Sequence, residues 1–351
     1  MNSRSGLATA LPPLSLSFRN NHGGNPVVAY VSGRDSAGSV VFLTSNGTWF
    51  YTVSAPSAGP QRVDPVAILL PLESRGSNTI SLPDSLISGR VWVATEELPF
   101  YLSTGADGVV SQLIEPSISN PDDPSAAVNW GFVELTYTAG LDVFANLSFV
   151  NFVGLLLGIS LVLHDGTVQT VAGLRTGAVS SICNALRQQT ISEGLPWDRL
   201  CIEKYTTQDL LINTQSDAGL VPCRVDEEIL RCRGDNRGYA RPSEGDIWGC
   251  NMGTFAITAE DNAVHRAIVP RLCAAFTRTT LLVDGGTVQP SVNSSQYYLD
   301  NLTNHYSRLV HEFLADGKGY AFPYDDVDAN GANTAGVLSG TNAQRLEIII
   351  G

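Results

Sequence analysis

The sequence predicts a mainly β protein, a β-barrel or sandwich domain joined to a smaller, disulfide-stapled α/β domain. Three observations predict it. Short β-type runs follow one another from Leu14, separated by turns rich in Gly, Asn, Ser and Pro. All six cysteines, Cys183, Cys201, Cys223, Cys232, Cys250 and Cys273, fall within one segment. Helical spacing of apolar residues begins only after residue 172.

Residues 1–11 read as a disordered tail. Alternating or apolar runs then mark strands at Leu14 to Phe18, Val27 to Val31, Val40 to Leu43, Trp49 to Val53, Val66 to Leu70 and Arg90 to Ala94. Trp130 to Thr138 and Val143 to Val153 flank a Gly-containing turn and form a hairpin. Its first arm places Phe132, Glu134, Thr136 and Thr138 on one face, so a single carboxylate sits mid-strand beside two hydroxyls and a ring. Leu155 to Leu163 and Thr167 to Val171 pair through the tight turn His164-Asp165-Gly166. Helices are expected over Thr176 to Gln188, Asp261 to Thr277 and from Thr303 to a stop at Gly317, and a strand over Arg345 to Ile350. The β domain therefore takes 12–171 and 296–351, and the α/β domain 172–295.

Composition narrows the function. Charged residues are 16% of the chain, and 34 acidic against 21 basic residues leave a net charge of −13. That argues against nucleic acid or phosphate ligands, which need basic patches, and suits a neutral polymer. The cysteines form no Cys-x-x-Cys pair and the five histidines show no ligand spacing, so no metal or cofactor is expected. Asp326-Val-Asp328-Ala-Asn330-Gly331 copies half of a calcium loop, but the twelfth position is Val337 instead of Glu. No nucleophile elbow or phosphate-cradling Gly-Lys loop is present. The clustered cysteines imply up to three disulfides of open connectivity. With sequons at Asn46, Asn146, Asn293 and Asn301 they lead to the expectation of a secreted, monomeric glycoprotein, although Met1 to Ala10 lacks a signal-peptide core. No run reaches the ~18 apolar residues of a membrane span.

Several motifs carry a resemblance. Thr303-Asn304-His305-Tyr306-Ser307-Arg308 and Gly319-Tyr320-Ala321-Phe322-Pro323-Tyr324-Asp325-Asp326 resemble the C-terminal signature of glycoside hydrolase family 64, the β-1,3-glucanases with a thaumatin-like barrel. The hairpin, Ser88-Gly-Arg-Val-Trp92, Gln112 to Asn120 and Ile247-Trp-Gly-Cys250 are similar as well, so the resemblance runs from about residue 12 to the end. It implies a wide groove between the two domains that holds β-1,3-glucan, and an endo-acting, inverting hydrolase releasing short oligosaccharides. The family's general acid falls on Glu134 and its general base on position 151, which here is Asn151.

An inverting glycosidase needs an acid to protonate the leaving oxygen and a carboxylate to activate water. An amide cannot accept that proton. Three readings of Asn151 follow: an isosteric knock-out, a natural change with Asp142, Asp165 or Asp246 as base, or a protein that binds glucan without cutting it efficiently. If the turn centres near Gly140 to Asp142, Glu134 pairs with Leu147 to Phe149, and position 151 follows two to four residues later. Thr136, Thr138, Phe144, Ser148 and Trp248 are the candidate sugar contacts, Phe144 and Trp248 through their ring faces. Each has a bland alternative: Thr136 as an ordinary strand residue, Phe144 as core, and Trp248 and Trp130 as buried structural rings. Asp142 and Asp165 equally suit a turn role.

Overall fold

The computed structural model describes residues 12–23, 26–52, 59–64, 67–70, 78–104, 111–118, 120, 122–203, 210–213, 229–231, 235–286, 289–290 and 292–351. Cys223 and Cys232 lie outside the described residues.

The β prediction holds. A five-stranded sheet runs in the order Val168–Val171, Leu157–Leu163, Ala343–Ile350, Ser15–Asn20, Asn78–Ser81. An eight-stranded sheet runs Leu338–Gly340, Val143–Leu147, Trp130–Tyr137, Leu86–Ala94, Val27–Arg34, Val40–Leu43, Trp49–Tyr51, with Ile68–Leu70 also on the Val27–Arg34 strand. Alternation sorts the side chains: Val31, Val41, Val91, Val93, Val133, Leu135 and Val143 point into one core with Leu16, Ile159, Leu161, Leu346 and Ile348 of the smaller sheet. Neither sheet closes on itself among the described residues, so the arrangement is an open sandwich, and the barrel alternative is set aside. Most of the expected strands are present; Gln61–Val63, Asn78–Ser81, Phe100–Thr104 and Ser111–Ile114 carried too little pattern to be foreseen.

The outer face of the large sheet is divided. One end is covered by the three-stranded sheet of Gln61–Val63, Phe100–Thr104 and Ser111–Ile114. Beneath it Tyr30, Phe42, Trp92, Trp130, Phe132 and Phe152 form a second apolar cluster, with Trp130 and Phe152 ring centroids 4.4 Å apart. The other end, around Glu134, is open.

Among the described residues there are four α-helices: α1 (Ala178–Glu193), α2 (Glu244–Gly249), α3 (Ala263–Arg278) and α4 (His305–Phe313). Three follow the expected helical stretches, and their ends are set by capping. Gly194 terminates α1 in the left-handed region at φ 72°, and Asn262 and Asn304 accept hydrogen bonds at the starts of α3 and α4. Helix α2 starts with a capping box in which Ser243 and Asp246 satisfy each other's backbone amides. Disulfides join Cys183 to Cys201 and Cys250 to Cys273. Ile182, Cys183 and Leu186 of α1 and Leu309 and Val310 of α4 belong to the same core as the sandwich. No helix among the described residues is long and apolar enough to cross a membrane.

Candidate active site

Glu134 stands at the middle of the large sheet, between Arg90 on one neighbouring strand and Asn146 on the other. Because strand side chains alternate, Phe132, Glu134, Thr136, Phe144, Asn146 and Arg90 share the outer face. Ser88, Arg90, Glu134, Thr136, Phe144 and Asn146 line a cavity of about 360 Å³ there. Its composition is mixed. Phe144 presents an apolar ring that is 54% exposed, unusual for Phe, while Glu134 keeps 41% of its side chain accessible. Asn146 lines the cavity while its amide oxygen is buried without a hydrogen-bond partner among the described residues.

Two charged residues that sequence reasoning missed complete the site. Arg90 bonds Glu115 closely through Nη1 and reaches Glu134 Oε1 with Nη2 at 3.5 Å. Its guanidinium lies 5.5 Å from the Trp92 ring centroid and 5.1 Å from that of Phe132. Burial pushes the Glu115 carboxyl up, Arg90 opposes this, and the nearby charge of Glu134 adds to it. Arg90 lies in Ser88-Gly-Arg-Val-Trp92 and Glu115 in Gln112 to Asn120, so the signal was in view. What sequence lacks is that these segments meet.

Tyr320 approaches from the C-terminal segment. Its amide donates to the Leu147 carbonyl at 3.1 Å and its carbonyl accepts from Phe149 at 2.7 Å. Burial pushes its phenol well up, and the carboxylates of Asp326, Asp325 and Glu134 push the same way. Asp325 anchors that segment: it is buried, paired to Arg278 at 2.7 Å and to His311 at 2.8 Å, and accepts from the Ala321 amide at 2.8 Å. Burial alone would raise the Asp325 carboxyl; the His311 and Arg278 charges and the Ala321 amide outweigh it and hold the group low.

The hairpin register differs from the sequence expectation. Glu134 lies opposite Asn146, not Leu147 to Phe149. Unbroken pairing would then carry residue 150 to Trp130, yet it is the Leu155 amide that donates to the Trp130 carbonyl, at 3.1 Å. Ser148 to Phe152 therefore leave the ladder as a broad bulge, and Gly154 brings the chain back where a Cβ would collide with the Trp130 carbonyl. Asn151 is exposed on this excursion and does not line the cavity beside Glu134. The steady alternation of the arm conceals the bulge, so the straight-strand distance does not apply.

The remaining candidates separate. Thr136 and Phe144 face each other across the hairpin at the cavity. Thr138 lies at the turn, where its hydroxyl donates to Asp142 at 3.5 Å. Ser148 is bridged to Tyr320 and lines a small hollow with Phe132 and Phe152. Trp248 is packed between core clusters, its ring 6.2 Å from Tyr306, away from the cavity. Trp130 is buried and donates to the Ser125 carbonyl at 3.0 Å. Asp165 accepts the Thr167 amide at 2.8 Å, a bond that holds its carboxyl low, and Asp246 is committed to its capping box. Asn146, the acceptor of one sequon, lies on the cavity wall instead of an exposed loop.

Comparison with known proteins gives this geometry a context. A family model described as beta-1,3-glucanase, glycoside hydrolase family 64, matches residues 12–204 and 202–350. Two proteins named glucan endo-1,3-beta-glucosidase, from Cellulosimicrobium cellulans and an Arthrobacter strain, are each 26% identical over 92% of this chain. The chain spans 63% of the length of these curated relatives. A laminaripentaose-producing beta-1,3-glucanase solved with laminaritetraose superposes with a TM-score of 0.78 at 22% identity, covering 97% of this chain and 99% of its own. A beta-1,3-glucanase domain from Clostridium beijerinckii gives a TM-score of 0.69 at 17% identity, covering 96% of this chain and 98% of its own. The family match extends over nearly the whole chain, and the chain belongs to glycoside hydrolase family 64, the family described as beta-1,3-glucanase.

Proposed function

We propose that the protein hydrolyses β-1,3-glucan within the chain, inverting the anomeric centre and releasing short oligosaccharides, with Glu134 as the general acid. The observation that carries this is a half-exposed carboxyl on a sheet, at the wall of a cavity lined besides by a ring, hydroxyls, an amide and the Arg90 guanidinium that Glu115 engages. That chemistry matches a neutral sugar chain: Phe144 stacks on a pyranose face, and Thr136 and the Asn146 amide meet its hydroxyls. Glu134 gives its proton to the glycosidic oxygen as the bond breaks, and water attacks from the opposite face, passing its proton to a second carboxylate. With Asp165 and Asp246 taken up in a turn and a cap, Asp142 at the hairpin turn is the candidate that remains. The groove extends along the sheet toward Thr138 and Ser148, between a thaumatin-like β unit of 12–171 and 296–351 and an α/β unit of 172–295. This division is supported by the sandwich strands falling in the first and the Cys183–Cys201 and Cys250–Cys273 disulfides in the second. The disulfides among the described residues suit a secreted enzyme, and we take it to act as a monomer.

The second reading is a glucan-binding protein with little hydrolysis, favoured by the amide at the exposed position 151. Reducing ends released from laminarin decide between them. In the first reading Glu134→Gln loses on the order of 10²–10⁴ of the activity. Activity that appears only in Asn151→Asp would support the second. Retained hydrolysis in Glu134→Gln would sink the acid assignment.

A further inference from the structure

We infer that Glu115 is a positioning residue that draws the Arg90 guanidinium off Glu134 and so leaves Glu134 able to carry a proton. This rests on the reading of Glu134 as general acid.

Arg90 is directly opposite Glu134 in the strand register, the placement that ordinarily yields a cross-strand ion pair. A carboxylate held in a bidentate guanidinium fork stays ionised and cannot donate a proton. Here the fork is turned away. Nη1 is in close contact with Glu115 Oε2, whereas Nη2 stands 3.5 Å from Glu134 Oε1, at the limit of a hydrogen bond. The Trp92 and Phe132 rings beside the guanidinium restrict its swing. Glu115 follows the Ser111–Ile114 strand of the covering sheet, so it reaches the site from a different layer than Glu134. One cation thus serves two carboxylates unequally.

The charged and titratable groups around Glu134 are few. Arg90 faces it from one neighbouring strand and Glu115 from the covering sheet. Tyr320 approaches from the C-terminal segment with Asp326 and Asp325 close to it, and its phenol stays neutral over any working pH. The other neighbouring strand offers Phe144 and Asn146, which do not titrate.

The sign of each perturbation follows. A general acid works protonated, so kcat/KM falls as the pH rises through its titration. Glu115→Gln removes a negative neighbour and frees Arg90 for Glu134; both favour the ionised form, and the alkaline limb moves to lower pH. Arg90→Met removes the cation and leaves Glu115, and the limb moves to higher pH. At this separation, with the groups partly exposed, each shift is about one pH unit.

The test is the pH profile of kcat/KM on laminarin for the native chain, Glu115→Gln, Glu115→Asp, Arg90→Met and Glu134→Gln. Opposite displacements in Glu115→Gln and Arg90→Met, with Glu115→Asp near the native profile, support the inference. A mere loss of structure lowers the profile without moving its limbs in opposite directions. Superimposable limbs, or limbs displaced the same way, overturn the inference while Glu134→Gln remains inactive. An active Glu134→Gln instead overturns the acid assignment beneath it.

Discussion

Asn146 bears a burden that the protein alone does not relieve, because its amide oxygen is buried beside the cavity without a partner. Leaving such a group unsatisfied costs roughly 1–3 kcal/mol, which a sugar hydroxyl can recover. We expect Asn146→Ala to raise KM for laminarin about tenfold with kcat changed less; an unchanged KM would separate Asn146 from substrate. At this scale the sequence was half legible. Glu134 declared itself as the lone carboxylate in an alternating strand, and Thr136 and Phe144 followed from the same alternation. Glu115 did not, since its tie to Glu134 runs through Arg90 across two sheets. Asn151 was identifiable by motif, but its position depends on a bulge that alternation cannot report.

Among the elements, the segment from Tyr320 to Asp328 does most to shape the site from outside the large sheet. It is fastened by Arg278 of α3 and His311 of α4, both on Asp325, with Arg278 also donating to the Val327 carbonyl. The Arg278 and Asp325 side chains are 3% and 0% exposed, so removing one partner strands a buried charge. We expect Asp325→Asn to cost about 3–5 kcal/mol, read as a lower unfolding temperature at neutral pH. The pH dependence has a definite sign. The folded carboxyl is held below its unfolded value of about 3.9, so its contribution is present above that pH and lost as the pH falls through the folded value. The acid arm of the unfolding temperature should therefore be shallower in Asp325→Asn than in the native chain. The helices themselves were readable: α1 and α3 begin within two residues of the expected starts. Helix α2 was not, because six residues are too short to show a period.

For the whole molecule, the open sandwich is what leaves room for a cavity on the outer face of the large sheet. Covering one end of the outer face with the three-stranded sheet leaves the Glu134 end accessible and rigid. A net charge of −13 suits an uncharged polymer, which needs no electrostatic steering. Fold class could be read from strand density, whereas sheet order could not, since the pairings join segments far apart in the chain. The parallel pairing of Ser15–Asn20 with Ala343–Ile350 shows this most clearly. Deleting Ala343–Ile350 removes the middle strand of the five-stranded sheet and exposes Leu346, Ile348 and Ile350 partners on both sides. We expect that deletion to give insoluble protein; a soluble chain with native circular dichroism would refute it.

That pairing also governs how the chain comes into being. On the ribosome, Ser15–Asn20 and Leu157–Leu163 emerge long before the strand that must lie between them. Until then both present bare edges, open to strand addition from other nascent chains. Acquisition of the native state is thus deferred until Ala343–Ile350 is made, and topology of such high contact order assembles slowly. Chaperone dependence during synthesis is the cellular counterpart of a sheet whose keystone arrives late.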